Sequence, residues 1–107
     1  MNKNNQSVTA RIELKITPKE NGFDRIAKRI GQYPQVTSLC LMSSGGYDIA
    51  LTVEGETLHD VAAFVSEVLA PMEAVVGTTT NFVLKRYKEN GVIFEDETAD
   101  PREVISL

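Results

Sequence analysis

The sequence predicts an α+β domain with the element order β-α-β-β-α-β, and three features of the chain carry that reading. Residues 8–17 alternate apolar and polar positions without a break. Two later runs place apolar residues at helical spacing, and strand-like runs rich in Val, Ile, Leu and Thr separate them. With 107 residues, 42% of them hydrophobic, the chain suits one domain with a single modest core. Right-handed crossovers then close a four-stranded antiparallel sheet with both helices on one face. This is the ferredoxin-like βαββαβ arrangement of the dimeric α+β barrel type.

In the first strand Val8, Ala10, Ile12, Leu14 and Ile16 alternate with Thr9, Arg11, Glu13, Lys15 and Thr17, and Pro18 ends the run. A period of two means one buried face. Phe23, Ile26, Ala27 and Ile30 then recur at i, i+3, i+4 and i+7, one stripe of a first helix. Gly31 stands where a left-handed residue closes a helix, with Pro34 beyond. A second strand is expected from about Val36 to Met42 and a third from Tyr47 to Val53. Gly55 breaks the third strand, and Thr57 serves as the N-cap of a second helix with Asp60 as its capping-box-like partner. Leu58, Val61, Ala62, Val65, Val68 and Leu69 form that helix's apolar stripe, and Pro71 stops it. A fourth strand is expected from about Val75 to Tyr87.

Net charge is −4, unevenly spread. Residues 89–107 sum to −5 and residues 1–88 to +1, so the acidity belongs to a C-terminal extension. Residues 1–7 read as a disordered leader or cloning remnant, 8–88 as the folded domain and 89–107 as the extension. No basic stripe offers the phosphate contacts that nucleic acid needs. The single cysteine, Cys40, lies in an apolar run and is expected to be buried and structural, which fits a reducing cytoplasm. No apolar run approaches the ~18–20 residues of a membrane span, and no secretory signal opens the chain.

Catalytic constellations are scarce. His59 is the sole histidine and lies off the apolar stripe, so it is expected in solvent. One His and one Cys make no zinc site of ordinary spacing, and no cofactor or metal is implied. No nucleophile elbow or phosphate-binding loop appears. Glu54, Glu56 and Asp60 read as surface and capping groups. The chain is read as a non-enzyme.

The segment Ser43-Ser44-Gly45-Gly46-Tyr47-Asp48 stands out between the second and third strands. Two glycines permit positive φ, and the flanking hydroxyls and carboxylate exceed what a turn requires. Thr78-Thr79-Thr80-Asn81 is a second polar cluster, with Thr78 and Thr80 on one strand face and Thr79 and Asn81 on the other. Strand propensity explains these threonines as readily as ligand contact does. In this topology the hairpin is expected to approach the cluster only across a subunit boundary. Leu39 to Met42 and Phe82 to Leu84 put apolar groups on both sides of their strands. The sheet face away from the helices is therefore expected to be partly apolar and covered by a second subunit. The competing cover is Gly91-Val92-Ile93-Phe94 folding back over it.

Several local patterns recur in one order. They are Val8-Thr9-Ala10-Arg11-Ile12, Tyr33-Pro34-Gln35-Val36, Gly46-Tyr47-Asp48-Ile49, Phe64-Val65-Ser66-Glu67-Val68-Leu69 and Val76-Gly77-Thr78-Thr79-Thr80. In this order and spacing, from Val8 to about Asp96, the chain resembles the C-terminal effector-binding and oligomerisation (RAM) domain of Lrp/AsnC transcription regulators. Leu84-Lys85-Arg86-Tyr87-Lys88 through Gly91-Val92-Ile93-Phe94-Glu95-Asp96 resembles a subgroup common in low-GC Gram-positive bacteria. The resemblance implies a homodimer, commonly assembled as an octamer of four dimers. It implies a small effector, usually an amino acid, bound between subunits. Carried over by position, the effector site is Ser44, Gly45, Gly46, Tyr47 and Asp48, with Thr78 and Thr80. Members place a helix-turn-helix domain before the first strand, where this chain has seven polar residues. DNA would be read only through such a domain, so the chain is expected to be a truncated regulator or a stand-alone RAM protein. Ser-Ser-Gly-Gly also stands where the family has a shorter turn. Two other readings stay open: an α+β-barrel enzyme or small-molecule binder using Asp48 or Arg11, and an assembly domain without a ligand.

Overall fold

The computed structural model describes residues 7–17, 22–43 and 45–94. The elements are β1 (Val8–Ile16), α1 (Asp24–Gly31), β2 (Val36–Leu41), β3 (Ile49–Gly55), α2 (Leu58–Phe64), β4 (Val75–Phe82), β5 (Lys88–Glu89) and β6 (Val92–Ile93). The four-stranded antiparallel sheet has the order β2-β3-β1-β4, and β5 and β6 form a separate hairpin. The predicted α+β ferredoxin-like fold is the one observed. Pro18 and residues 1–6 and 95–107 lie outside the described residues.

The alternation of β1 organises the core. Ala10, Ile12 and Leu14 are fully buried and Ile16 nearly so, while Arg11 and Lys15 are exposed. Register carries this face across the sheet. Ile12 pairs with Leu51 and Thr80, and Leu14 pairs with Ile49 and Thr78. Residues directly opposite share a face, so all of these point toward the helices. Ile30 from α1 and Val61, Phe64, Val65 and Leu69 from the second helical segment complete the buried cluster.

The second helix departs from its expected stripe at Leu58 and at Ala62, both exposed. Leu58 is 57% exposed, in the first turn beside the Thr57 cap. Thr57 does cap the helix, accepting from Asp60 N at 3.0 Å. Beyond Phe64 the helix widens into a π-turn, Val65–Leu69, closed by Ala70 N donating to Val65 O at 2.8 Å. The extra residue in that turn brings Leu69 into the core and leaves Val68 half-buried. Gly55 allows β3 to meet this helix closely, since a Cβ there would lie 3.1 Å from Val61 Cγ2. Gly31, expected to be left-handed, is the last residue of α1, and the chain stays right-handed through the C-cap Gln32.

The face away from the helices is more polar than expected. Leu39 and Leu41 pair with Leu51 and Ile49 and so lie on the helix side, leaving Cys40 opposite Ala50 on the open side. Cys40 is exposed rather than buried, because its strand is an edge and no helix covers that face. Thr79 and Asn81 pair with Glu13 and Arg11 on the open face, while Phe82 pairs with Ala10 on the other. β4 ends at Phe82, not Tyr87. The chain beyond touches the open face at Thr9 through Arg86, but Val92 and Ile93 remain more than half exposed, so the hairpin does not fold back over the sheet.

Leu14→Ala should destabilise the domain by about 2–5 kcal/mol in urea unfolding, through lost burial plus a cavity. Leu58→Ala should change stability by no more than about 0.5 kcal/mol, although the helical stripe includes it.

Candidate functional site: the β2–β3 hairpin and its reach to β4

The β2–β3 hairpin closes with Met42 N donating to Asp48 O at 2.8 Å. Gly45 (φ 108°) and Gly46 (φ 95°) turn the chain in the region that side chains disfavour, and a Cβ at either would meet nothing within 4 Å. Their role is therefore conformational, and both are exposed. Ser44 lies outside the described residues.

Asp48 is tied into the sheet. Its N–H donates to Leu14 O at 2.9 Å, and its Oδ2 accepts from Ile16 N at 2.8 Å. The carboxylate thus takes the place of a backbone acceptor where β1 outruns β3. A charged acceptor on a backbone N–H makes a stronger bond than a neutral one. Asp48 is half-buried, and its Oδ2 is engaged by the chain itself.

Tyr47 reaches the other way. Its hydroxyl lies 2.6 Å from Thr79 Oγ1, so the side chain crosses β1 on the open face to reach β4. Gly77, opposite Lys15, leaves that stretch of β4 without a side chain. The expectation that the hairpin meets the threonine cluster only across a subunit boundary is thus corrected: Tyr47 makes the contact within one chain, because its length spans one intervening strand. Of the cluster, Thr79 is the member brought to the hairpin. Thr78 and Thr80 pair with Leu14 and Ile12 and point to the helix side, so they share no surface with the Tyr47 hydroxyl. The alternation in 78–81 already separates Thr79 from its neighbours; what the sequence lacks is the cross-strand register that selects it.

The result is a lip of exposed glycine backbone, one tyrosine anchored at its tip and one carboxylate bonded through Oδ2 to β1. His59 is exposed and distant in the fold, on α2. Among the described residues no group of three or more His, Cys, Asp or Glu could hold a metal, and no helix is long and apolar enough to cross a membrane. Such a lip offers backbone amides, hydroxyls and an aromatic ring to a small polar ligand.

A ferredoxin-like sheet with one helix-covered face, one open face and a glycine-opened hairpin defines a class of small α+β binding and assembly domains. Within that class the chain belongs to the Lrp/AsnC ligand-binding domain family, whose model matches residues 9–93. It is 46% identical over 102 residues to the uncharacterised HTH-type transcriptional regulator YugG of Bacillus subtilis (strain 168), covering 94% of this chain. The chain spans 61% of that protein's length. Transcriptional regulator NMB0573 of Neisseria meningitidis, solved as a complex with L-Met, superposes with a TM-score of 0.71 at 21% identity, over 80% of this chain and 55% of that one. FFRP-DM1 gives 0.65 at 25% identity, over 72% of this chain and 99% of that one. The last two likenesses bear on the fold.

Asp48→Ala should cost about 1–3 kcal/mol in chemical unfolding, because the Ile16 N–H loses a charged acceptor in a half-buried setting. Asp48→Asn keeps an acceptor oxygen and should cost less than half as much.

Proposed function

We propose that this chain is the ligand-sensing and oligomerisation part of an Lrp/AsnC-type transcription regulator, with a small amino acid as effector bound at a subunit interface beside the β2–β3 hairpin. The observation that carries this reading is the hairpin itself. Gly45 and Gly46 expose backbone at positive φ, and Tyr47 is held in place by Thr79 next to it. A zwitterion needs donors for its carboxylate and acceptors for its ammonium, and bare glycine amides, the Tyr47–Thr79 hydroxyl pair and the Asp48 carboxylate supply both. The L-Met complex of NMB0573 supports an amino acid as the ligand class. The similarity to YugG, an HTH-type regulator, supports a regulatory role, with DNA contacted through a helix-turn-helix domain rather than through these residues.

The chain works as a homodimer, and four dimers form the octamer. A ligand at a boundary between subunits changes assembly only by binding one assembled state better than another. Chemistry on the ligand is not part of this reading. Of the effector residues carried from the sequence, Gly45, Gly46, Tyr47 and Asp48 cluster at the lip, with Thr79 joining them. Thr78 and Thr80 would take part only from the helix side of β4.

Titrating the chain with each of the twenty amino acids should raise its unfolding temperature for one or a few of them and shift its sedimentation. At a hundredfold excess over Kd the stabilisation should be about 2.7 kcal/mol. No response to any of the twenty would overturn the reading. Tyr47→Phe should leave the fold intact and weaken the responding amino acid roughly 3- to 10-fold, the worth of one hydrogen bond.

A further inference from the structure

The outer side of α1 carries positive charge that the fold leaves uncompensated. Arg25, Lys28 and Arg29 are all exposed and stand at i, i+3 and i+4, so the three cations share one helix face. Among the described residues none of the three has an ion-pair partner, Asp24 on the same helix included. Like charges at these spacings work against a helix. Lys28 and Arg29 in the last turn suit the helix dipole, but Arg25 in the first turn opposes it. The surroundings bring no relief. α1 packs against β2, and residues 25–47, which include that strand, contain no Asp or Glu.

The opposite charge lies at the far end of the chain. In residues 95–107 Glu95, Asp96, Glu97, Asp100 and Glu103 stand against Arg102 alone. They follow Phe94, whose N–H donates to Tyr87 O at 2.9 Å, so the β5–β6 hairpin returns the chain to its own base. That base adjoins Arg86, which donates to Thr9 Oγ1. Register places Thr9 at the end of the sheet where α1 finishes. Thr9 pairs with Glu54, and Glu54 N donates to Gln35 O at 2.9 Å, just past the last turn of α1. The Glu54 side chain shares the open face with Thr9, away from the helix. Lys28 and Arg29 thus stand over the same end of the sheet as the point from which residues 95–107 set out. Two strand spacings of about 4.8 Å and a helix layer of about 10 Å separate them, roughly 15–20 Å in all. Residues 95–103, drawn out, reach roughly 30 Å.

We propose that the acidic segment 95–107 docks on the basic face of α1 in the same chain and neutralises Arg25, Lys28 and Arg29. Tethering decides the occupant. A segment joined through the hairpin meets α1 at an effective concentration on the order of millimolar. A free polyanion such as duplex DNA has to displace it while approaching a chain of net charge −4. The segment is a cover that keeps a cationic helix face from non-specific phosphate contacts. Neither the effector nor the assembly of the proposed function enters this inference, which goes beyond both.

Lys28 supplies the reporter. A zero-length carbodiimide joins an amine to a carboxylate only where the two touch. Treating the intact chain should link Lys28 to an acid among residues 95–103, read by mass spectrometry of the digest. The link should fall about fivefold or more in 1 M salt, where the screening length is about 3 Å. It should fall as far in R25Q/R29Q, which keeps the Lys28 amine. In a mixture of isotopically light and heavy chains, linked peptides should carry one label each. No Lys28 link, a link indifferent to salt and to R25Q/R29Q, or mixed-label peptides would each overturn the proposal. A second measurement asks what the segment keeps out. E95Q/D96N/E97Q/D100N/E103Q should keep the far-UV spectrum and bind a short DNA duplex at low salt about tenfold more tightly than the parent. Adding R25Q/K28Q/R29Q should remove that gain, whereas adding R11Q/K15Q/K88Q, the same charge taken from elsewhere, should keep most of it. A parent chain that binds the duplex through α1 as well as the substituted one does would make nucleic acid the occupant and overturn the cover.

Discussion

Everything in this domain is attached to β1. It pairs over seven residues on each side, with β3 and with β4. Its inward residues Ala10, Ile12 and Leu14 are fully buried. The helices pack on that face because no other surface offers a continuous row of aliphatic side chains, and burial of such a row is the main favourable term in folding. The two ends of β1 matter as much as its middle. At one end Leu14 and Ile16 hold Asp48 and so set the β2–β3 hairpin, and at the other Thr9 holds Val83 and Arg86 just before the β5–β6 hairpin. Both hairpins thus take their position from one strand.

The hairpin shows how polar groups in excess of a turn's needs can be divided between structure and function. Asp48 does backbone work, filling the acceptor position that β3 leaves vacant at Ile16. Tyr47 is anchored at its hydroxyl by Thr79, which costs it rotamer freedom before any ligand arrives. Pre-ordering of that kind lowers the entropy lost on binding. Gly45 and Gly46 remain the groups with no structural duty beyond their φ. The same segment therefore combines a rigid base with an accessible backbone tip.

The open sheet face shows where one-dimensional reasoning falls short. Leu39, Cys40, Leu41 and Met42 are all apolar, so their order along the chain says that both faces receive apolar groups. Pairing against β3 sends both leucines to the helix side and exposes Cys40. The apolar surface left over is at the two ends of the sheet rather than across its middle. Likewise, the helical spacing of Leu58 suggests a core position, but the residue sits in the first turn of the helix and is solvent-exposed.

The periodicities were legible without coordinates. A period of two in residues 8–17, helical spacing in two runs, the Thr57 cap and the element order together imply the ferredoxin-like sheet, because local periodicity dictates which face of each element is apolar. The glycine-opened hairpin was also visible, since paired glycines between strands mark a turn by backbone chemistry alone. Folding added what depends on relations between distant strands. Register chose Thr79 over Thr78 and Thr80 as the partner of Tyr47, turned Cys40 outward, and brought Arg86 onto Thr9. A shift of one residue in pairing exchanges the two faces of a strand. No pattern within a single strand records that choice, so it belongs to the packed sheet.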